Sequence, residues 1–442
     1  MKRYLHGIHV AGHKSTAQMS AVKLPLPDSV VIPMAMHIGA PAKPVVKVGD
    51  YVKTGQLIGE PGGFVSAPIY ASVSGTVKRI GEMLGSNGRM MQTVEIESDG
   101  LDARWEGIAP PKLETMQDFL DAVRASGLVG LGGAGFPTVV KLTVKNLDQI
   151  KCVIINGAEC EPYITSDTRA MIDYSFDVIA GCRLLQKFLK VPRIVFGIED
   201  NKPECIARYR ELVKNEQNME VMPLKAMYPQ GGEKVLIYHV TGEKVPEGKL
   251  PLDVGAVVLN CTTISSIARY CRTGLPLVKK CVTVDGSAVK NPMNVLVPIG
   301  MRMKDVFEAT GGETYEVNFY GIGGHAFGCF GKMAQPVHAA ARAVAKIADF
   351  VVPSDPKTSF CVSNFHGGND AGVHAIAPKA TIKFNFRSNS QEELAKLRTN
   401  IFNAIEEACQ EETAKWGQDT ITWDKSSSAA YREEPRTCML LW

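Results

Sequence analysis

The sequence predicts a multidomain protein that joins α/β and α+β folds, and three observations carry that expectation. Short apolar runs punctuated by Gly and Pro fill residues from about 30 to 100. Helix-like and strand-like segments alternate from about 113 to 270, and after about residue 313 the order becomes β-α-β-β-α. A chain of 442 residues has room for about two to four domains. The composition shifts divide it at 1–105, 106–275, 276–312 and 313–442.

The bulk properties exclude several classes. Hydrophobic content of 45% and charged content of 21% are ordinary for a folded protein. A formal net charge of +3, with no Lys/Arg runs interleaved with aromatics, gives no nucleic-acid footprint. No apolar run is long enough to span a bilayer. The N-terminus MKRYLHGIHVAGHKS lacks the apolar core of a signal peptide, so a cytoplasmic location is expected. Eleven cysteines are present, but no two form C-x-x-C. Iron–sulfur and structural zinc sites usually need such short spacings, so isolated reduced thiols are the expectation.

In the first region, PVVKVGDYVKTGQLIGE reads as two short strands with turns at Gly49-Asp50 and Thr54-Gly55. APIYASVSGTVKRIGEM adds two more around Ser74-Gly75, and strands at this spacing suggest a small barrel or sandwich. The phrases resemble a biotinyl- or lipoyl-type domain. Such carriers present a lysine at a hairpin tip, and Ala71–Ser74 contains none, so a structural sandwich is expected.

The stretch GLVGLGGAGFPTVVKL (127–142) is the strongest local signal. Gly127, Gly130, Gly132, Gly133 and Gly135 fall within nine residues, followed by Phe136, Pro137 and Lys141. Glycines admit a ligand close to the backbone, and successive N–H groups can cradle a phosphate with Lys141 adding charge. Gly130, Gly132 and Gly135 also fit G-x-G-x-x-G. That fingerprint should follow a strand, whereas LETMQDFLDAVRASG before it reads as a helix with Met116, Phe119, Leu120 and Val123 inward.

CVIIN, RIVFGIE, MEVMPL and GAVVLN read as buried strands of a mainly parallel sheet, with helices such as SFDVIAGCRLLQKFLK between them. Ligands bind beyond the carboxyl ends of such strands. Three polar loops fall there: NGAECEPYITSDTR, with Asn156, Glu159, Glu161 and Asp167; YPQGGEK, from Tyr228 through Gly231; and NCTTISS, with Asn260 and Thr263. Carboxylates suit contacts to ribose hydroxyls, a flavin edge or a nicotinamide. Glu233 and Lys234 read as a surface pair worth at most about 1 kcal/mol. Residues 281–312 read as two strands about Asp285-Gly286 and a helix, a small β-grasp-like module. Beyond them, YEVNFYGIGGHAFGCFG, an alanine-rich helix, two strands and a long helix suggest an α+β sandwich, and SSSAAYREEPRTCMLLW ends it without a clear closing element.

GLVGLGGAGFPTVVKL, INGAECEPYITSDTR, the IEDNKPE segment and the N-terminal barrel, in this order, resemble the RnfC family. This is the flavin- and NADH-binding subunit of the Rnf ferredoxin–NAD oxidoreductase, and the resemblance covers about residues 1–312. The same loops are similar to the NADH-binding flavoprotein subunit of respiratory complex I. The resemblance implies a barrel-sandwich hybrid, an α/β domain for FMN and NADH, and a β-grasp module for soluble ligands. It implies that Gly130, Gly132, Gly133 and Gly135 line the flavin, and that Lys141, Asn156 and Glu159 hold it. Glu161 would face the nicotinamide nucleotide, Phe136 would stack on an adenine, and Tyr228 and Gly231 would close the pocket. Asn260 and Thr263 would lie in a further flavin-contacting loop. Other Rnf subunits are the implied partners, on the cytoplasmic face of the membrane. Two departures stand out. The complex I subunit has an aspartate at the position of Ala158 and a glutamate at that of Gly232. The cysteine-rich iron–sulfur motifs expected after the β-grasp have no counterpart, so the sequence reads as an RnfC-like chain truncated before that domain.

YEVNFYGIGGHAFGCFG and GGNDAGVHAIAPKATIKFNFRS resemble instead the dimerisation (lid) domain of the zinc aminoacylase/carboxypeptidase family. That resemblance implies homodimerisation. His325, Asn369 and Arg387 would match lid residues that reach substrate, although a histidine at Gly323-Gly324 also reads simply as a turn residue. The expected function is hydride transfer between NADH and flavin. The rival readings are a zinc-dependent hydrolase, whose His, Asp and Glu motifs are missing before residue 313, and a non-catalytic scaffold.

Overall fold

The computed structural model describes residues 7–427 apart from 86–87, 287–288, 290, 310–312, 330, 355–357, 369–373, 389–390 and 417–419. Among the described residues, one compact unit runs to Val284 and takes in Met293–Arg302, and a second holds Asp285–Pro292 and the chain from Met303 onward.

The first unit begins with a sandwich. Strands β1 (Ser29–Pro33), β2 (Tyr51–Val52), β3 (Gly75–Leu84) and β4 (Met90–Ser98) form an antiparallel sheet in the order β1-β4-β3-β2. A second sheet of short strands, Lys43–Pro44, Leu57–Glu60 and Ile69–Tyr70, supplies Ile58 and Ile69 to the core that holds Val30, Ile32, Val77, Val94 and Ile96. Gly75 sits at φ +151, and a Cβ there would lie 1.9 Å from the Glu97 carbonyl oxygen, so the corner admits only glycine. Ala71–Ser74 is buried rather than presented at a tip. Ser74 donates to Asp99 at 2.7 Å, and Ser72 donates to the Ile299 carbonyl at 2.6 Å. This segment is a sandwich corner and not a swinging arm.

The central domain follows the predicted alternation. Strands β5 (Cys152–Gly157), β6 (Ile194–Glu199), β7 (Met219–Leu224) and β8 (Ala256–Asn260) are all parallel, in the order β7-β6-β5-β8. Helices α1 (Met116–Ala125), α2 (Thr138–Leu142), α3 (Ser166–Asp173), α4 (Ser175–Leu189), α5 (Pro203–Leu212), α6 (Glu233–Thr241) and α7 (Cys261–Thr273) connect and cover them. Alternate strand residues go to opposite faces, as the two-residue period requires. Val153, Ile155, Phe196 and Leu259 join one core with Phe119, Leu185 and Ile264, while Ile154, Val195 and Val258 meet Leu236 and Ile237 of α6 on the other. Each such fully buried side chain contributes about 1.5–3 kcal/mol. A sheet covered on both faces explains why these strands read as unbroken apolar runs.

The α1 helix starts at a capping box in which Thr115 accepts from the Asp118 N–H and the Asp118 carboxylate accepts from the Thr115 N–H. Phe119, Leu120 and Val123 point inward as the spacing predicts, but Met116 is exposed. Placed in the first turn, it has no preceding turn to lie against.

Strands β9 (Lys279–Val284) and β10 (Met293–Pro298) pair antiparallel, and Val22–Lys23 runs parallel beside β10. The predicted helix after them is α8 (Met303–Ala309).

In the second unit, β11 (Glu313–Tyr320), β12 (Thr358–Gly367), β13 (Lys379–Ser388) and β14 (Thr422–Ser427) form an antiparallel sheet in the order β12-β13-β11-β14. Helices α9 (Pro336–Ala348) and α10 (Gln391–Trp416) share its core, with Ala339, Ala343, Leu397 and Ile401 against Val317, Phe319, Ile382 and Phe384. The closing element, β14, is absent from the sequence expectation because TWDKSS carries little apolar patterning of its own. It is held by pairing with β11 from Tyr315 to Tyr320. His325 lies in a two-residue strand paired with Ala375–Ile376, its ring 5.3 Å from that of His374. Asn369 and the segment after Ser427 fall outside the described residues, as does the side chain of Arg387.

Candidate functional site at the carboxyl edge of the parallel sheet

The strand order places a topological switch between β5 and β8. From β5 the chain moves outward through β6 and β7, then returns to the other side of β5. A crevice opens beyond the carboxyl ends of the strands at such a point. The two strands that flank it end in asparagines that face each other in register, Asn156 and Asn260.

The glycine-rich segment closes on itself above this edge. Gly130 N–H donates to the Phe136 carbonyl at 2.9 Å, and Thr138 N–H donates to the Leu128 carbonyl at 3.0 Å. Gly135 takes a left-handed conformation, φ +65, which lets the loop turn back before α2. Leu131 is buried and its N–H donates to Thr263 Oγ1 at 3.0 Å, while Gly132, Gly133 and Ala134 at the tip are exposed. Gly133 has open space where a side chain would begin. A Cβ on Gly132 would sit 2.2 Å from Asn260 Nδ2. The chain's own asparagine therefore makes this position glycine.

Asn260 caps α7, its Oδ1 accepting from Thr262 and Thr263 N–H at 2.9 and 3.2 Å. Its Nδ2 donates to Asp167 Oδ2 at 2.6 Å, and Thr262 Oγ1 donates to the other oxygen at 2.7 Å. Asn156 ties two loops together: its Nδ2 donates to the Gly231 carbonyl at 3.0 Å, and its Oδ1 accepts from Ala158 N–H at 3.0 Å. Gly231 N–H donates in turn to Cys160 Sγ at 3.4 Å.

The acidic loop is built from inside. Glu159 is buried, and its carboxylate accepts from Asp167 N–H, Thr168 N–H and Thr168 Oγ1 at 2.6, 3.2 and 2.6 Å, at the start of α3. Burial, with Asp167 nearby, pushes its carboxyl up to about 7, against the pull of Lys14 and Lys202. Beneath the loop lies a buried ion pair, Lys202 with Glu199 at 2.8 Å. Glu161 is half-buried, and Tyr163 is exposed beside it. Lys141 Nζ donates to Glu233 Oε1 at 2.8 Å and to the Val258 carbonyl at 3.1 Å. The pair expected for Glu233 is thus replaced by one from α2 to α6, because α6 sets the Glu233 carboxylate facing α2. Phe136 is half-buried. Tyr228 is exposed, preceding the cis bond to Pro229.

The fold thus gathers Gly130, Gly132, Gly133, Gly135, Leu131, Thr263 and Asn260 on one side of the edge, and Asn156, Glu159, Glu161 and Gly231 on the other. Lys141 and Tyr228 lie on elements bordering it. The side chains of Asn156, Glu159 and Asn260 are engaged by the protein itself. Asp167, Lys14 and Lys202 are organising residues that motifs do not reveal. In sequence, Asp167 reads only as one more acid of its loop, and nothing local in HVAGHKST or EDNKPE marks a lysine that will be buried. Among the described residues, no group of three or more His, Cys, Asp or Glu side chains is arranged to hold a metal ion, and no helix is long and apolar enough to cross a membrane.

Residues 123–269 match the Nuo51 FMN-binding domain, 2–101 the RnfC barrel sandwich hybrid domain, 281–320 the SLBB domain and 308–413 the peptidase dimerisation domain. The RnfC-type subunit of the Na(+)-translocating ferredoxin:NAD(+) oxidoreductase complex of Acetobacterium woodii is 42% identical over 322 residues, 70% of this chain and 72% of that protein. Its counterpart in the proton-translocating complex of Clostridium ljungdahlii is 42% identical over 71% of this chain and 69% of its own length. The corresponding subunit of the ion-translocating oxidoreductase complex of Pseudomonas aeruginosa is 38% identical over 67% of this chain and 39% of its own length. Among solved structures, an NAD+-reducing [NiFe]-hydrogenase in the H2-reduced state aligns at 24% identity and a TM-score of 0.39, covering 46% of this chain and 40% of that one.

Proposed function

This chain belongs to the RnfC family of subunits of the ion-translocating ferredoxin:NAD(+) oxidoreductase complexes, and from that premise we propose that it binds FMN at the carboxyl edge of β5–β8 and takes electrons from NADH there. The observation that carries the proposal is the exposed Gly132-Gly133-Ala134 tip, anchored through Leu131 and Thr263 at a topological switch point within the segment that matches an FMN-binding domain.

The residues present fit such a group. Gly133 leaves open the space a side chain would fill, so backbone N–H groups can approach a phosphate. Lys141, bound to Glu233, offers a positive charge at the same edge. Bound FMN would supply the hydride-accepting chemistry. The chain's own residues hold and orient. Asn260 and Asp167 keep the α7 N-terminus and the glycine loop in register, and Asn156 keeps the Gly231 segment against the acidic loop. Glu161 and Tyr163, on the outer part of that loop, meet the nicotinamide nucleotide, and Phe136 and Tyr228 border its path. Residues 313–442 form a separate domain that pairs with a second copy and takes no part in flavin reduction, with boundaries at 105, 275 and 312 for the preceding domains. The other subunits of the complex hold the chain on the cytoplasmic face of the membrane.

The test is direct. Purified protein reconstituted with FMN should retain it after desalting, with flavin absorbance, and anaerobic NADH should bleach that absorbance. Failure to retain FMN, or retention without bleaching, refutes the proposal.

A further inference from the structure

Residues before the sandwich cross the site. Ile8 pairs with Tyr228 as a two-bond antiparallel bridge, each N–H donating to the other's carbonyl at 2.8 Å. The approach is close: a Cβ on Gly7 would lie 2.8 Å from the Tyr228 carbonyl oxygen and 2.7 Å from Met227 Sδ. Further along, the same segment reaches the acidic loop. His13 N–H donates to the Pro162 carbonyl at 2.9 Å, and the His13 ring stacks on Tyr163 with centroids 4.9 Å apart. Lys14 Nζ donates to three carbonyls of that loop, Glu159 at 2.9 Å, Glu161 at 2.8 Å and Ile164 at 2.5 Å. Thr16 and Thr165 share a hydroxyl–hydroxyl bond of 2.5 Å, and Arg169 of α3 donates to the Ala17 carbonyl at 3.2 Å.

One short segment therefore fastens two loops that come from different strands. An ammonium that collects three backbone carbonyls fixes the path of a loop more tightly than neutral bonds do. Turning the carbonyls of Glu159, Glu161 and Ile164 inward onto one atom leaves the Glu161 and Tyr163 side chains on the outer side of the loop. Burial works against the Lys14 charge, and the neighbouring carboxylates Glu159, Glu199 and Glu161 hold it in place, with Lys202 opposing.

We propose that Ile8–Thr16 is a strap that sets both loops for the nicotinamide nucleotide, with Lys14 as its positioning residue. The strap touches the protein backbone and not the reacting atoms, so it acts through Glu161, Tyr163 and Tyr228. Its contacts fall on the acidic loop and the Tyr228 segment rather than on the glycine-rich segment, and so it governs the nucleotide rather than FMN. This inference rests on the proposed FMN and NADH site.

The experiment uses the full chain reconstituted with FMN, comparing Lys14→Met and Lys14→Arg with the parent. Three readouts are taken: FMN stoichiometry by absorbance, kcat and KM for NADH in reduction of an artificial acceptor, and amide hydrogen exchange of segments 159–165 and 226–231. Expected for Lys14→Met are unchanged FMN stoichiometry, a KM raised tenfold or more with kcat within about threefold, and faster exchange in both segments. Lys14→Arg should recover at least half of the loss in log KM. An unchanged KM, or FMN lost in parallel with activity, overturns the strap. If Lys14→Met fails to fold, His13→Ala, which removes only the surface stack on Tyr163, should raise KM at least threefold, and no change there overturns it equally. A parent that binds no FMN or is not reduced by NADH would refute the underlying site. The exchange readout would still report whether Lys14 fastens both loops, so the two failures are distinguishable.

Discussion

Gly132 and Gly133 are adjacent and exposed, yet the structure assigns them opposite reasons for being glycine. A methyl on Gly132 would sit 2.2 Å from Asn260 Nδ2 and 2.7 Å from its Cγ, so Asn260 must leave its rotamer. In moving it gives up the α7 cap to Thr262 and Thr263 and the 2.6 Å bond to Asp167. Loss of an Asn cap costs about 0.5–2 kcal/mol, and loss of a hydrogen bond to a charged group about 1.5–3 kcal/mol. Because Asn260 and Asp167 are only half-buried, water recovers part of this. Gly132→Ala should therefore destabilise the apo protein by roughly 2–3 kcal/mol, toward the lower end of those ranges. Gly133→Ala meets nothing within 4 Å and should leave apo stability within about 0.5 kcal/mol. If FMN approaches the backbone at Gly133, that variant should nonetheless bind FMN at least tenfold more weakly. Urea unfolding without FMN, with FMN titration alongside, separates the two effects. Equal stability of the two variants would refute the role given to Asn260, and an unchanged FMN affinity in Gly133→Ala would refute the placement of the ligand at the loop tip.

Four further outcomes follow from the same kinds of contact. The Glu159 carboxyl is raised from 4.5 to about 7 by burial, so the folded state binds the extra proton between those values. Its contribution is complete below about pH 4.5 and is lost as pH rises to about 7, a fall on the order of 3 kcal/mol, and Glu159→Gln should flatten that part of a urea-derived stability profile. Asp167→Ala removes the acceptor shared by Asn260 and Thr262 and should destabilise by roughly 1–3 kcal/mol, with Asn260→Ala adding less than its separate effect in a double-mutant cycle. In the second unit, Glu412 is buried and bound by Arg342 at 3.0 Å and His338 at 3.2 Å, so Arg342→Met should cost about 2 kcal/mol or more in unfolding experiments, tempered by the partial exposure of Arg342. With no C-x-x-C among eleven cysteines, NADH reduction after anaerobic iron and sulfide reconstitution of this chain alone should give no iron–sulfur EPR signal, and such a signal would contradict the reading of its cysteines.

Element types and their order are written in the sequence. The strands CVIIN, RIVFGIE and GAVVLN are legible because both faces of a parallel sheet are buried, which makes them continuous apolar runs, and the helices between them carry caps and 3.6-residue stripes. Periodicity is local, so it survives without knowledge of partners. The glycine-rich segment and the three polar loops are legible for a related reason: unusual composition at strand ends needs no long-range information. Which backbone and side-chain groups those loops use on one another is a different matter, set by the folded arrangement. That Asn260 fills the space beside Gly132, that Glu159 turns inward to α3, and that Lys141 faces Glu233 all depend on strand order, which brings residues distant in the chain to one edge. The strand Thr422–Ser427 is hidden in the sequence for the same reason, since its stability is lent by β11. Lys14 is the extreme case. Nothing near it in the chain signals burial, and its ammonium finds three carbonyls about 150 residues away only because the N-terminal segment folds back across the sheet edge.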